Sequence, residues 1–248
     1  MLNAEDYRRM RLKIDEKFSE AFASYCSENE CENMFLKPQI AYFDAKSDIF
    51  DKLAEKGISE SMKRIYRAGK TLIMFTVPFS DEVMESNQEG DEPSEMWLDA
   101  YQISNGLMMK LNSSIKAALK EWGRVTSSLN TPMDWSRTKP GEVWSHRTAG
   151  AIAGLGKLTA AGLFIDNDGR YARVSGVVSD VNMIERYEGD TDILLEKALS
   201  TEITEKEKGS CPCGAITDDG VDKFKCQEYC TKYNERVPSP EVCGKCIR

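Results

Sequence analysis

The stretch Lys70–Phe79, KTLIMFTVPF, is the longest apolar run of the chain and decides its fold class. Its β-branched and aromatic residues favour a strand, and apolar residues continue through it without alternation. We therefore expect a strand that is buried on both faces. A strand of that kind needs covering layers on each side of its sheet. The run contains Pro78 and is about half as long as a membrane-spanning helix requires.

Helices are predicted before and after this strand. In residues 4–26 apolar side chains recur at steps of three and four, which indicates an amphipathic helix with Tyr7, Met10, Ile14, Phe18 and Phe22 on one face. The longest predicted helix starts at Ser94 and runs to about Trp122. A break or kink is expected near Asn105-Gly106, because glycine is a weak helix former. The acidic segment 80–93 is predicted to be an exposed loop without regular structure.

A hairpin is predicted in the second half of the chain. The segments 161–166 (AGLFID) and 171–180 (YARVSGVVSD) flank Asn167-Asp168-Gly169, a strong turn signal. A helix at about 145–154 and a glycine turn precede them. Because helices alternate with apolar strands, the predicted fold class is α/β, a sandwich with helices on a central sheet. The predicted parts are an N-terminal helical part at 1–69, a core at 70–190, and a linker with a cysteine-rich segment at 191–248.

Composition narrows the function classes. The 248 residues carry 33 basic and 41 acidic side chains, a formal net charge of −8, so a nucleic-acid partner is not expected. The N-terminus is charged throughout and lacks the apolar core of a signal peptide, so a cytoplasmic location is expected, with no membrane partner. Structural disulfides are rare there, and clustered cysteines usually bind metal.

Six of the eight cysteines lie in the last 39 residues, SCPCGAITDDGVDKFKCQEYCTKYNERVPSPEVCGKCIR. A disulfide framework, a zinc site and an iron–sulfur cluster are the alternatives. Zinc ribbons use two C-x-x-C hooks, and this tail has one, Cys243 to Cys246. A cysteine directly before proline, as at Cys211, is typical of bacterial ferredoxins. The favoured interpretation is one [4Fe–4S] cluster, with zinc as the alternative; the predicted ligands are Cys211, Cys226, Cys243 and Cys246, with Cys213 and Cys230 as spares.

The segments WSHRTAGAIAGLGKLTAAGLFIDNDGRYARVSGVVSD and CPCGAITDDGVDKFKC…CGKC resemble the epoxyqueuosine reductase family in its broad sense. The resemblance is closer to the ferredoxin-like iron–sulfur relatives of that enzyme and of the corrinoid reductive dehalogenases. The resemblance covers about residues 70–248. It implies a nitroreductase-like α/β sandwich that binds cobalamin, with FMN as the alternative, and a small C-terminal ferredoxin-like segment that delivers electrons. It also implies a cofactor-binding pocket, with lining residues Trp144, Ser145, Arg147, Gly154, Leu155, Gly156 and Arg173.

The chain departs from that family at several points. The first cysteine triad of the ferredoxin part is missing, and no helical-repeat domain for tRNA follows. The position expected for the proton-donating aspartate falls at about Pro140. A tRNA-directed activity is therefore not expected.

Several of these residues have a functional and a structural interpretation. His146, the only histidine, is a candidate proton donor or cofactor contact, or else a residue that stabilises the loop before it. Arg147 and Arg173 suit phosphate or carboxylate groups but also suit surface ion pairs. Gly154 permits close approach of a flat cofactor or ends a helix. Aromatic and methionine residues of the long helix are candidates for a substrate cavity or for the core.

Three hypotheses on function follow. In the first, the protein is a reductase in which the tail passes single electrons to a cofactor in the body, which reduces a small organic molecule. An external donor such as ferredoxin or flavodoxin would supply the electrons, and a homodimer is compatible with the chain. In the second, the protein is a non-catalytic corrinoid or electron carrier. In the third, zinc holds the tail of an interaction protein together.

Overall fold

The computed structural model describes residues 3–129, 144–199, 202–237, 239 and 242–247. Its centre is the predicted strand, β2 (Thr71–Pro78), whose eight residues are all buried. On one side β2 pairs with β1 (Gln39–Asp44), and on the other side it pairs with β6 (Ala172–Ser179). A short strand, β3 (Thr126–Ser128), pairs with the end of β6. Within the described residues this sheet has the order β1-β2-β6-β3, and all its neighbours are antiparallel.

Helices cover both faces of the sheet, as the unbroken apolar run predicts. Ile73, Phe75 and Val77 of β2 belong to one core cluster, which α1 (Ala4–Glu28) and α5 (Glu95–Glu121) complete. Leu72 and Met74 belong to the other, which contains buried residues of α2 (Ile49–Glu55), α6 (His146–Ile152) and α7 (Thr191–Leu199). Successive residues of a strand point to opposite faces, which explains this division. The mixed α/β class is confirmed.

The other elements are short. They are α3 (Met62–Ile65), α4 (Asp81–Ser86), β4 (Gly156–Leu158), β5 (Phe164–Asp166), α8 (Glu205–Ser210), β7 (Ile216–Thr217), β8 (Gly220–Val221), α9 (Lys223–Thr231) and a 3-10 helix (Lys245–Ile247). Among the helices that the structure describes, none has the length and apolar character to cross a membrane.

The prediction of a loop over the whole of 80–93 is wrong at its start, where α4 forms. The Ser80 side chain accepts a hydrogen bond from the backbone N–H of Val83, and Asp81 and Glu82 occupy the first turn. A serine cap followed by acidic residues stabilises the N-terminus of a helix. The serine followed by two acidic residues could have predicted this helix from the sequence. The acidic content of the whole segment favoured a loop instead.

The expected break near Asn105-Gly106 is also wrong, because α5 is continuous from Glu95 to Glu121. Gly106 serves packing instead. A Cβ atom at this position would lie 2.2 Å from the hydroxyl oxygen of Tyr25 on α1, so the glycine allows the two helices to approach closely. Close packing against α1 thus offsets the low helix propensity of glycine.

The predicted hairpin is present, but its two strands enter different sheets. Gly169 adopts a φ of 85° in the turn, and one isolated bridge joins Ile165 to Tyr171. Beyond that bridge, β5 pairs with β4, whereas β6 joins the central sheet. The hairpin therefore connects the central sheet to the segment that follows α6.

Candidate functional site

The four cysteines predicted as ligands come from three separate segments of the tail. Cys211 caps the end of α8, Cys226 lies on α9, and Cys243 and Cys246 flank Gly244-Lys245. Cys243 is buried and the other three are half-buried. The short β7–β8 hairpin connects the segment around Cys211 to α9.

Cys211 and Cys226 lie close enough to Cys243 and Cys246 to affect the ionisation of these two thiols. Burial, with a smaller contribution from the thiols of Cys226 and Cys211, raises the pKa of the Cys243 thiol to about 11. Burial also raises the pKa of Cys246, with added contributions from Cys243, Cys226 and Cys211. Charge–charge effects of this kind weaken with distance. The fold therefore brings the four predicted ligands into one neighbourhood.

Of the two predicted spare ligands, Cys213 lies next to Cys211, whereas Cys230 is buried in the core. The Sγ atoms of Cys211 and Cys213 are 3.7 Å apart, and the backbone N–H of Ala215 donates a hydrogen bond to Sγ of Cys211 at 3.3 Å. The pKa of Cys213 is raised to about 11, chiefly by burial and secondly by the interaction with Cys211. Cys230 is fully buried in the core cluster that contains α1 and α5.

Within the described residues, no three His, Cys, Asp or Glu side chains form a group that could hold a metal ion as they stand. The pKa changes of the cysteines do not contradict this finding. Charges act on one another over distances well beyond the length of a metal–ligand bond. What the structure offers is a set of soft thiol donors from separate segments. Thiolates are the usual ligands of iron–sulfur clusters.

The C-terminal hook, residues 242–247, is fixed to the body by hydrogen bonds. Nε1 of Trp97 donates to the carbonyl of Val242 at 2.6 Å, and Nδ2 of Asn87 donates to the carbonyl of Cys243 at 3.1 Å. The buried side chain of Lys245 donates to the carbonyls of Asn87 and Glu89 at 2.9 and 2.6 Å. The connection between α4 and α5 is thus the platform on which the hook lies.

A glycine makes the closest contact of the hook possible. Gly244 has a φ of 63°, and a Cβ atom there would lie 2.1 Å from the indole ring of Trp97. Both the backbone conformation and the space exclude a larger residue. The glycine of the C-G-x-C motif therefore has a structural role, beside the candidate role of its two cysteines in metal binding.

Basic side chains after α9 pair with the acidic residues at the start of α5. Arg236 pairs with Asp99 at 2.6 Å and also with Glu95, and Lys232 pairs with Glu92 at 2.9 Å. Exposed pairs of this kind contribute little one by one. Together with the hook contacts, they place the cysteine-rich tail across α4 and the first turns of α5.

The segment Trp144–Arg147 is mainly structural in its observed contacts. Trp144 is buried and packs against Phe50 with ring centroids 5.4 Å apart. Ser145 caps α6 by accepting a hydrogen bond from the backbone N–H of Thr148, and its own N–H donates to Oγ of Ser59 at 3.0 Å. Arg147 donates to the carbonyl of Gly162 in the turn between β4 and β5.

His146 is enclosed at its ring. Its Nε2 atom is inaccessible to solvent, and the residue hydrogen-bonds to the backbone of Leu129. Burial, with smaller contributions from the charges of Arg147 and Arg173, lowers the pKa of the imidazole to about 4. The ring is therefore neutral at pH 7, which suits a positioning or contact role better than that of a protonated acid.

The glycine turn after α6 ends the helix. The N–H of Gly154 donates to the carbonyl of Ala151, the N–H of Leu155 donates to that of Gly150, and Gly154 has a φ of 82°. This is the Schellman arrangement of a helix C-terminus. Leu155 is buried in the core. A Cβ atom on Gly156 would lie 2.1 Å from the carbonyl oxygen of Ile165, so this glycine allows the β4–β5 pairing.

Arg173 lies between β6 and α5, where it is partly buried. Its guanidinium stacks 4.0 Å from the ring centre of Tyr101 and donates to Oγ of Ser104 at 3.1 Å and to Oδ1 of Asn105 at 3.0 Å. The hydroxyl group of Tyr101 hydrogen-bonds to Ser239 of the tail at 2.8 Å. One tyrosine thus contacts both the arginine of the body and the cysteine-rich segment.

A cavity and a pair of buried cysteines lie apart from the predicted site residues. A cavity of about 430 Å³ is lined by Asp48 and the residues from Arg186 to Thr191. Cys26 and Cys31 are buried at the end of α1, and burial raises the pKa of both thiols. The position near Pro140, where the resemblance to epoxyqueuosine reductases predicts an aspartate, lies outside the described residues.

No protein-family model matches this chain, and no curated protein sequence matches it. Among solved structures, the chain is similar in fold to a selenomethionine-labelled epoxyqueuosine reductase at 12% identity, with a TM-score of 0.48, covering 92% of this chain and 64% of that chain. It is also similar to the Bacillus subtilis epoxyqueuosine reductase with its catalytic loop swung out of the active site, at 13% identity and a TM-score of 0.47.

A third similar structure is an epoxyqueuosine reductase with an epoxyqueuosine-modified tRNA stem loop, at 13% identity and a TM-score of 0.48. In this case, as for the Bacillus subtilis protein, 92% of this chain and 63% of the other are covered. The chain thus spans somewhat less than two thirds of the length of these proteins. The similarity concerns the arrangement of the elements.

Sequence reasoning missed the residues that hold the site together. Asn87 and Lys245 fix the hook, and Ser104 and Asn105 fix Arg173. A lysine between two candidate ligand cysteines was visible in the sequence, but its burial was not. The partners of Arg173 lie 68 and 69 positions away in the chain, so no local pattern connects them.

Proposed function

We propose that the protein is an oxidoreductase in which Cys211, Cys226, Cys243 and Cys246 bind one [4Fe–4S] cluster. Single electrons would pass from the tail into the body, where a cofactor reduces a small organic molecule. Cobalamin is the proposed cofactor, with FMN as the alternative. An external protein donor such as ferredoxin or flavodoxin would supply the electrons.

The observation that supports the proposal is that Cys211 and Cys226 lie near enough to act on Cys243 and Cys246, which are fixed on the connection between α4 and α5. Burial and the neighbouring cysteines raise the pKa of Cys243 and Cys246. Several buried thiolates repel one another unless cations offset their charge, and iron supplies that charge. The N–H of Ala215, which donates to Sγ of Cys211, would stabilise a cluster-bound sulfur.

Contacts between the tail and the body support the proposed direction of electron transfer. The hook lies directly on Trp97, and Tyr101 hydrogen-bonds to Ser239 while stacking on Arg173. The residues proposed to face the cofactor or substrate in the body are Arg147 and Arg173, with His146 as a neutral neighbour. Bound iron and sulfide would supply one-electron redox chemistry; these side chains would position the reacting groups.

The test is metal analysis of protein purified without oxygen. We expect iron and acid-labile sulfide, with a broad visible absorption that bleaches on reduction. Cys226→Ser and Cys243→Ser should each abolish the cluster. Cys26→Ser is the matched control, because Cys26 lies in the core at the end of α1, and this variant should keep the iron.

Other outcomes would refute the proposal. Stoichiometric zinc in colourless protein would show that the tail is a structural zinc site. Full iron content in Cys243→Ser would refute the ligand assignment. Bound corrinoid without turnover in the presence of an artificial reductant would indicate the carrier hypothesis in place of an enzyme.

A further inference from the structure

Arg173 differs from Arg170 and Arg236, two other arginines with side-chain contacts to the body. Arg170 pairs with Asp81, and Arg236 pairs with Glu95 and Asp99. Arg173 is partly buried, and its partners among the described residues are the neutral side chains of Tyr101, Ser104 and Asn105. A chain with 41 acidic side chains thus leaves this cation without a carboxylate within the described residues. Partly buried charges are normally paired.

The contacts of Arg173 orient its guanidinium and leave donors available. An arginine carries five N–H donors in one plane. One donor from each terminal nitrogen is used, to Ser104 and to Asn105. Stacking on Tyr101 fixes the plane of the group. The remaining N–H groups, with no acceptor among the described residues, form a preorganised fork of the kind that binds two oxygens of one anion.

The surroundings of this fork are positively charged and partly open. Both Arg147 and Arg173 act on the enclosed ring of His146, which places the three side chains in one region. At this edge of the sheet, β3 pairs only with residues 177–179 of β6. Residues 172–176 have no strand on that side among the described residues, and Arg173 itself keeps partial solvent exposure.

From this geometry we propose that Arg173 binds an oxyanion, either a carboxylate or a phosphate group, carried by the substrate or by the cofactor of the body. As a substrate or cofactor site, the inference rests on the proposed reductase. The anion binding itself requires no cysteine cluster. Failure of one proposal therefore leaves the other open to its own test.

The single histidine provides the measurement. The full-length protein is titrated with inorganic phosphate and, separately, with acetate, while the ring resonances of His146 are followed by NMR at constant ionic strength. We expect a saturable shift, because an anion at Arg173 offsets a charge that acts on His146. Arg173→Gln should abolish saturation. Arg173→Lys keeps the charge but loses the fork, and should weaken binding about tenfold.

Arg170→Gln is the matched control, because Arg170 lies on the same hairpin and pairs with Asp81 at the surface. It should leave the titration unchanged. The inference is overturned if neither anion gives a saturable shift, or if Arg173→Lys binds as tightly as the natural chain. Unfolding midpoints of the variants show whether a lost signal reflects lost folding.

A second pair of ligands distinguishes the two sources of the anion. FMN and riboflavin share the isoalloxazine ring and differ in the phosphate group. Tighter binding of FMN than of riboflavin, abolished by Arg173→Gln, would assign the site to the phosphate of a cofactor. Equal binding of the two, together with saturable acetate binding, would assign it to a carboxylate of the substrate.

Discussion

The imidazole of His146 is acted on by burial and by two arginines at once. Its Nε2 atom is closed to solvent, and Arg147 and Arg173 both disfavour the charged form. These effects act in the same direction, whereas the hydrogen bond to the backbone of Leu129 acts against them. The neutral ring is therefore the stable form across the physiological range.

This residue gives the first prediction, a pKa near 4 for the one histidine, measured by NMR titration. The unfolded chain takes up a proton near pH 6.5, whereas the folded protein does so only near pH 4. The unfolding free energy should therefore fall as the pH is lowered from 6.5 to 4, by on the order of 3 kcal/mol. His146→Gln should remove this part of the pH dependence. Identical pH profiles for the two proteins would contradict the prediction.

Gly244 and Gly57 give a second prediction at the residue scale. Both have a positive φ, 63° and 66°, but only Gly244 faces a neighbour, the ring of Trp97. Gly57→Ala should cost about 1–2 kcal/mol of unfolding free energy, through its backbone conformation alone. Gly244→Ala should cost roughly 1–3 kcal/mol more, because its methyl group overlaps the indole. Chemical denaturation measures both, and equal losses would show that the hook does not lie against Trp97.

At the scale of elements, the contact between α1 and α5 supports one face of the sheet. These two long helices cover Ile73, Phe75 and Val77 of β2. Their close approach depends on Gly106, opposite Tyr25. The hydroxyl group of Tyr25 also donates to the carbonyl of Ile103 at 3.3 Å.

A double-mutant cycle tests this helix contact. In an open helix, Gly106→Ala would stabilise the protein by about 1 kcal/mol. Here the new methyl group meets the Tyr25 hydroxyl, so we expect a loss of roughly 1–3 kcal/mol. Tyr25→Phe removes the oxygen and should recover part of that loss in the double variant. Strict additivity of the two changes in unfolding free energy would show that the two positions do not touch.

At the scale of the whole molecule, the tail is held by long-range contacts. The hook hydrogen-bonds to Trp97 and Asn87, which precede it by about 150 positions. The central sheet is assembled from residues before 180. We therefore expect the cysteine-rich segment to loosen at a lower free-energy cost than the sheet, although both share one core cluster.

Trp97→Phe should show this directly, because it removes the hydrogen bond to Val242 and the part of the indole that faces Gly244, while an aromatic ring remains at the position. Amide hydrogen exchange of residues 242–247 should become faster, while β2 keeps its protection. Trp122→Phe is the control, because Trp122 lies at the opposite end of α5. Equal loss of protection in β2 and in the hook would show that the tail and the sheet unfold as one unit.

The sequence by itself determined the elements whose signals are local. The apolar run of β2, the spacing of Met10, Ile14 and Phe18 in α1, and the turn at Gly169 all predicted what the structure shows. Each signal depends on residues that are close together in the chain. It arises from the spacing of apolar side chains or from the backbone conformation of a single residue. The cysteine pattern predicted a metal-binding tail in the same way, and that remains a prediction.

Only the tertiary structure decided where these elements meet. It placed Gly106 against Tyr25, the hook on Trp97, and Arg173 on Tyr101 and Asn105. The pairing of β5 with β4 in place of a regular hairpin is a decision of the same kind. The physical reason is that these contacts join residues far apart in the chain, where burial and close packing override local propensity.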